Sequence, residues 1–300
     1  MNDYVLRSCM FVPGHNDRLL NSAAKSKADV LLLDLEDSVQ SAHYKQIARD
    51  KIEKRIREGD FIHHFVFPRV NDRESGFLLK DVTQLAIDGV DGFMYPKSYT
   101  GQDIYFFDKL LETIEAEKGI PFGTFKIIPL IETSAAVLNA QEICQASDRV
   151  VAIAFGCEDF ITDLEGIHDK EGQSLFTARA LIAMAAKANK VVPIDTVHIK
   201  VHDLDDLERN IQLAKKLGFE GMLVLNPKEL ELVHKYFTPS KEEIFEAYDM
   251  LKLYEESLKE HKGVAVKNGK FIGPPMVVTA KKIIKKAKLI KAILKAKEGL

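Results

Sequence analysis

Three hundred residues, 46% hydrophobic and 29% charged, suffice for one large α/β barrel of ~250 residues or for about two ordinary domains. Forty-two basic against 45 acidic side chains leave a net charge of −3, which excludes a strongly basic nucleic-acid binder and an acidic disordered chain. No run reaches about 18 uninterrupted apolar residues, so neither a transmembrane helix nor a membrane partner is expected. Residues 1–14 carry Arg7 inside their apolar stretch with no basic segment ahead of a long apolar one, so no secretory leader is expected. Cys9, Cys144 and Cys157 are odd in number and widely spaced, which fits a reducing compartment and encodes neither a disulfide framework nor a cysteine zinc site.

In chain order, strands are expected at residues 8–12, 30–35, 65–70, 92–95, 127–131, 150–155, 191–194 and 222–225. Most are continuous apolar runs without in/out alternation, the signature of parallel strands covered on both faces. Helical spacing and composition occupy residues 17–26, 44–58, 78–87, 108–117, 135–146, 176–187 and 204–216. Eight such units fit a (β/α)₈ barrel, with a doubly wound open sheet as the alternative. The barrel is expected over residues 1–238 and C-terminal helices over 239–300. Ser240 and Glu243 form a capping box that starts the first of these helices. Residues 263–275 read as a Gly/Pro-bearing connection, followed by a basic helix over 276–297. Residues 263–300 hold ten lysines and one acid, Glu298, which reads as a solvated face or as a patch for an anion such as a coenzyme A phosphate.

Active sites of such barrels form at the C-terminal strand ends. Polar residues stand there repeatedly: Asp34, Glu36 and Asp37 after strand 2; Arg69, Asn71 and Asp72 after strand 3; Lys97 after strand 4; Glu132 after strand 5; Gly156, Cys157, Glu158 and Asp159 after strand 6; Asp195 and Asn226 after strands 7 and 8. Carboxylates converging on one mouth repel unless a divalent cation, Arg69 or Lys97 sits among them. Oxygen-only donors favour Mg²⁺, or Mn²⁺, over zinc. Taken singly, Asp72, Glu158 and Asp195 read as helix caps or loop charges, Arg69 as an ion-pair partner and Gly156 as a turn glycine. Co-location is what sets the group apart. His15, His63, His64 and His198 match no ligand spacing, and the adjacent pair 63–64 would face opposite sides of a strand.

The segments 7–14, 34–39, 68–71, 96–97, 131–133 and 156–160, continued by Asp195-Thr196, Gly218-Phe219-Glu220-Gly221 and Asn226-Pro227, resemble the citrate lyase β-subunit-like family of the HpcH/HpaI aldolase/citrate lyase superfamily. The resemblance implies a (β/α)₈ TIM barrel with a C-terminal helical lid, in a cytoplasmic homotrimer whose lids cover neighbouring sites. It implies an Mg²⁺-dependent carbon–carbon lyase that splits a β-hydroxyacyl thioester of coenzyme A or an acyl carrier into a keto acid and an acyl thioester. By position, Glu132 and Asp159 match the metal ligands and Arg69 the catalytic arginine facing the reacting carbonyl. Asp37 matches a carboxylate that holds a metal-bound water, with Glu36 and Lys97 beside it. Gly156, Cys157 and Glu158 match a backbone cradle for the keto or hydroxy acid, with Cys157 contributing its backbone alone. One position departs: in the lid stretch Gly269-Lys270-Phe271-Ile272-Gly273-Pro274-Pro275, Gly273 stands where the family has its acid/base aspartate. Two alternatives follow from that glycine, an aldolase acting on a free hydroxy-keto acid and a non-catalytic metabolite or partner binder.

Overall fold

The computed structural model describes residues 4–169, 172–200, 202–261, 263–267 and 270–298. Strands and helices alternate through the first two thirds: β1 (Ser8–Pro13), α1 (Asp17–Ala24), β2 (Val30–Asp34), α2 (Ala42–Arg57), β3 (Phe65–Val66), α3 (Leu78–Leu85), β4 (Gly92–Tyr95), α4 (Gly101–Lys118) and β5 (Lys126–Ile131). There follow α5 (Ser134–Leu138), α6 (Ala140–Gln145), β6 (Ala152–Phe155), α7 (Cys157–Asp163), α8 (Gln173–Ala188), β7 (Val192–Asp195), α9 (Leu204–Leu217), β8 (Gly221–Val224) and α10 (Leu230–Phe237). The C-terminal elements are α11 (Lys241–Lys259), β9 (Ala265–Lys267), β10 (Lys270–Ile272) and α12 (Pro274–Glu298). The chain divides into two compact units, Met1–Val233 and His234–Leu300.

In the first unit all eight strands run parallel in the order β3-β2-β1-β8-β7-β6-β5-β4. The remaining gap, between β3 and β4, is bridged by single residues. Pro68 has no N–H to give a ladder, so the strand expected over 65–70 keeps regular pairing only at Phe65–Val66. Beyond it Arg69 N–H donates to Leu33 O on one side, and Met94 N–H donates to Pro68 O on the other, each at 3.0 Å. Arg69 thus bridges Asp34 and Met94 and brings the sheet to near closure as a TIM-type barrel. Gly221 allows the β8–β1 seam, where a Cβ would stand 1.8 Å from Leu6 O.

Side-chain caps start several crossover helices: Asn16 accepts from Leu19 N, Ser41 from Tyr44 N and Thr133 from Ala136 N. The segment expected as one helix over 135–146 divides at Asn139, which ends α5 and begins α6. His63 and His64 lie in the turn before β3, not within a strand. Burial follows the parallel-sheet expectation, with β2, β4, β6, β7 and β8 buried throughout.

In the second unit, Ser240 and Glu243 make the expected capping box, and α11 packs on α12 through Ala247, Ala280 and Ile284. The connection expected over 263–275 contains an antiparallel hairpin, β9–β10, that glycine and proline content concealed. No helix among the described residues is long and apolar enough to cross a membrane.

Glu229, just after β8, is fully buried; its Oε2 accepts from Leu225 N at 3.4 Å, and its Oε1 has no hydrogen-bond partner among the described residues. Burial raises its pKa from the ordinary 4.5 to about 7. A carboxyl with a raised folded pKa stabilises the fold while protonated; that contribution is complete below the unfolded value and is lost as pH rises through about 7. Glu229→Gln should therefore gain up to about 3 kcal/mol on wild type between about pH 5 and pH 8. Thermal unfolding at both pH values checks this, and an equal difference at the two would contradict it.

Candidate active site

The strand ends open into a cavity of about 570 Å³ in the first unit. Asp34, Asp37, Arg69, Glu132, Gly156, Cys157, Glu158 and Asp159 all line it. Glu36 and Lys97 sit behind this lining, in contact with Arg69 and Glu132.

Arg69 is the hub. Its Nε and Nη2 hold Asp34 Oδ1 and Oδ2 at 2.7 and 2.8 Å, a bidentate clamp. Nη1 donates to Asp37 Oδ2 at 3.0 Å and lies 3.0 Å from Glu36 Oε2, and the guanidinium covers the Phe11 ring at 4.7 Å. Burial works against its charge, but Asp34, Glu36 and Asp37 outweigh that and raise its pKa further, so the guanidinium is permanently charged. Asp34 gains from the same pairing. Burial alone would raise its pKa, and the charge and hydrogen bonds of Arg69 pull it below the usual carboxylate range.

Two other carboxyls are poised differently. Burial, reinforced by Asp37 and Asp34 against the attraction of Arg69, lifts Glu36 to about 7. Burial, with the charges of Glu36 and Asp159, lifts Glu132 to about 8. Glu132 Oε1 accepts from Lys97 N–H at 2.6 Å. Lys97 has φ 50°, in the left-handed region that non-glycine residues rarely adopt, and this strained peptide is the one aimed at Glu132. Its ammonium pairs with Asp72 at 2.9 Å and approaches Glu36 Oε1 at 3.6 Å, and the bond to Asp72 raises its pKa. A Cβ on Gly156 would meet Glu132 Cβ at 2.9 Å, so glycine is what lets β6 approach this carboxyl.

After β6 the chain turns at once into α7, a helix hidden in the sequence by the two acids of its first turn and its brevity. Asp159 is exposed on this first turn. Glu158 is also exposed and pairs with His168 Nε2 at 3.1 Å. The N–H of Gly156 donates to Ile131 O, and that of Cys157 to Thr196 Oγ1. Burial pushes the Cys157 thiol up to about 12, so it is no nucleophile.

Other strand-end polar residues serve the fold. Asp195 is fully buried against Arg179, Asn226 caps the turn after β8 by accepting from Lys228 N, and Asp72 caps a short turn while holding Lys97. The sequence reading missed Asp34 as the clamp on Arg69, although it heads the acidic 34–37 segment. It also missed Lys45. This buried lysine reaches from α2 to donate to Leu35 O at 2.9 Å, Glu36 O at 3.1 Å and Asn71 Oδ1, fixing the loop that carries Glu36 and Asp37. A lysine and an arginine one turn apart, at 45 and 49, were the available signal.

Among the described residues no group of three or more His, Cys, Asp or Glu side chains forms a ready metal cage. Magnesium does not require one: it keeps several waters and uses one or two carboxylates with substrate oxygens. Glu132 and Asp159 line the same cavity, with the charge of Asp159 helping to raise the Glu132 pKa, and could supply that donor set. The residues present fit a hard divalent cation.

Residues 7–227 match the family model for HpcH/HpaI aldolase/citrate lyase. Citrate lyase subunit beta of Leuconostoc mesenteroides subsp. cremoris is 33% identical over 286 residues, 95% of this chain and 94% of that protein. The L-malyl-CoA/beta-methylmalyl-CoA lyase of Cereibacter sphaeroides is 30% identical over 307 aligned positions, covering 95% and 96%. In fold, the CitE protein of Mycobacterium tuberculosis, solved with magnesium, acetoacetate and coenzyme A, has a TM-score of 0.74 at 23% identity and covers 96% of this chain and 100% of that one. A citrate lyase from Burkholderia xenovorans LB400 has a TM-score of 0.83 at 18% identity, covering 95% and 92%.

Proposed function

Because the chain belongs to the HpcH/HpaI aldolase/citrate lyase family, we propose that it is an Mg²⁺-dependent carbon–carbon lyase acting on a β-hydroxyacyl thioester of a small acid. One observation carries the reading: Arg69, Glu132 and Asp159 line a single cavity at the strand ends. Glu132 and Asp159 would hold the cation, and Asp37, fixed by Arg69, would orient a water on it. When bound, Mg²⁺ supplies a Lewis acid that acidifies the substrate hydroxyl and polarises the emerging ketone.

The bond that breaks joins the carbinol carbon to the α-carbon of the thioester. The hydroxyl loses its proton as its carbonyl forms, and the bonding pair passes into the thioester enolate, which then takes a proton at carbon. Arg69, with N–H groups left over from its carboxylate clamp, faces the developing enolate oxygen; preorganised charge of this kind is worth several kcal/mol. Since Gly156 and Cys157 spend their N–H groups inside the barrel, the acid's carboxylate falls to those of Glu158 and Asp159. We place the enzyme in the cytoplasm as a homotrimer taking coenzyme A or carrier-protein thioesters, with Mn²⁺ able to replace Mg²⁺. Sedimentation at the monomer mass, with Mg²⁺ and ligand present at micromolar protein, would contradict the trimer.

The proton donor at carbon is the open role, because Gly273 carries no side chain. Gly269, which opens the lid stretch, lies outside the described residues. Gly273 occupies the N-cap of α12, where its O accepts from Met276 N at 3.0 Å and Val277 N at 3.2 Å. An added Cβ would come 2.6 Å from the Phe271 ring, which is 59% exposed and can turn away. Gly273→Asp should therefore fold, and should raise Mg²⁺-dependent exchange of the acetyl-CoA methyl protons by about 10²-fold, the low end for a placed general base. A variant that gains thermal stability from its new cap with no gain in exchange would favour the second reading that Gly273 supports, an aldolase acting on a free hydroxy-keto acid.

A further inference from the structure

Behind the cavity, α2 and α3 meet the loops after β2 and β3 through a chain of buried polar side chains. Lys45, on the first turn of α2, is 8% exposed. Its three ammonium hydrogens have three acceptors: Leu35 O at 2.9 Å, Glu36 O at 3.1 Å and Asn71 Oδ1. Asn71 in turn donates its backbone N–H (2.9 Å) and its Nδ2 (2.6 Å) to Asp81 Oδ2 on α3, and Asp81 Oδ1 accepts from Arg49 Nη1 at 2.6 Å.

All three acceptors of Lys45 are uncharged, and burying a charge without a touching counter-charge is costly. Docking of α2 does not call for it, since Ala48, Ile52 and Ile56 already bury that helix and Arg49 ties it to α3. What the ammonium joins is the two sides of the Arg69 cluster. Leu35 O and Glu36 O belong to the loop whose side chains Glu36 and Asp37 each lie 3.0 Å from Arg69 Nη1, and Asn71 stands two residues beyond Arg69 itself. Asp34 secures the Nε and Nη2 side and also accepts from Glu36 N and Ser38 N. Without Lys45 the loop therefore keeps its barrel-side bonds and loses those behind it.

We propose that Lys45 is a positioning residue: it ties the acceptors of Arg69 Nη1 to the segment that carries Arg69, and so sets which guanidinium N–H groups remain for a substrate oxygen. The effect on rate rests on the lyase reading above; the hold on residues 35–37 does not.

Lys45→Met keeps length and bulk and removes the donors. Ile56→Ala is the comparison, because it loosens the far end of the same helix, where Ile56 lines a separate pocket with Phe61 and Gly89. Both are assayed with Mg²⁺ for condensation of acetyl-CoA with glyoxylate, and by hydrogen exchange of the backbone amides of residues 36–39. Lys45→Met should lower kcat by about 10–100-fold, the range for losing a supporting bond behind a site, with KM within about threefold of wild type. It should also speed exchange at 36–39 by at least about tenfold. Ile56→Ala should lower the thermal midpoint and leave both kcat and this exchange near wild type. Lys45→Gln, which restores part of the donor set, is the second variant should the methionine not fold, and its kcat should lie between the two. Wild-type kcat in the Lys45 variants, a loss confined to KM, equal losses of kcat in Lys45→Met and Ile56→Ala, or unchanged exchange at 36–39 would each overturn the proposal. If wild type forms no carbon–carbon bond while exchange still separates the two variants, the lyase reading falls and the hold by Lys45 stands.

Discussion

Arg69→Lys should leave the barrel folded and lower kcat/KM by about 10²–10³-fold, the loss expected when one preorganised donor at an oxyanion is removed. The backbone of residue 69 does the structural work of bridging Asp34 and Met94, and lysine keeps it. The side chain is another matter. A guanidinium can clamp Asp34 with Nε and Nη2, bond Asp37 through Nη1, and still present N–H groups to a substrate oxygen. An ammonium is a single point on a flexible stem, and in this setting Asp34 would capture it. The loss should fall on kcat more than on KM. A lysine variant with wild-type kcat/KM would mean that Arg69 serves only as a counter-charge for its three acids.

The second large effect concerns the cation. Glu132→Gln and Asp159→Asn should each weaken Mg²⁺ binding by at least about 100-fold, the upper range seen even for groups that merely support a ligand. Each amide preserves shape and removes charge, and the glutamine of Glu132→Gln retains an oxygen to accept from Lys97 N–H. A thermal shift reads the result directly: Mg²⁺ at about 100 times its Kd should stabilise wild type by about 2.7 kcal/mol and neither variant comparably. Equal stabilisation of all three proteins would remove both residues from the metal site.

Much of the architecture could be read from the chain. Continuous apolar runs bounded by polar residues located all eight strands, because a parallel strand covered on both faces has no polar side to break the pattern. Pro68 hid how the barrel approaches closure, since an interrupted strand still looks apolar while its hydrogen bonds pass to isolated residues. The short helix α7 was hidden because Glu158 and Asp159 look like loop charges when placed after a strand. At the site, positions at strand ends were legible and relationships were not. Nothing in the sequence says that Asp34 takes two of the Arg69 donors, that Lys97 bends through a left-handed conformation to hold Glu132, or that Lys45 reaches across from α2. Those depend on distances set by barrel geometry among residues 26–35 positions apart. Asp195 shows the same limit in the other direction, a strand-end acid whose partner, Arg179, makes it part of the core.

The most direct test of the central claim is carbon–carbon bond formation itself. Purified protein is incubated with acetyl-CoA and pyruvate or glyoxylate, with and without Mg²⁺, and the products are resolved by mass spectrometry. The expected product is a hydroxyacyl-CoA whose mass is the sum of the two reactants, formed only with Mg²⁺ and lost in Asp159→Asn. An adduct forming equally well without a divalent cation, or in that variant, would contradict the claim.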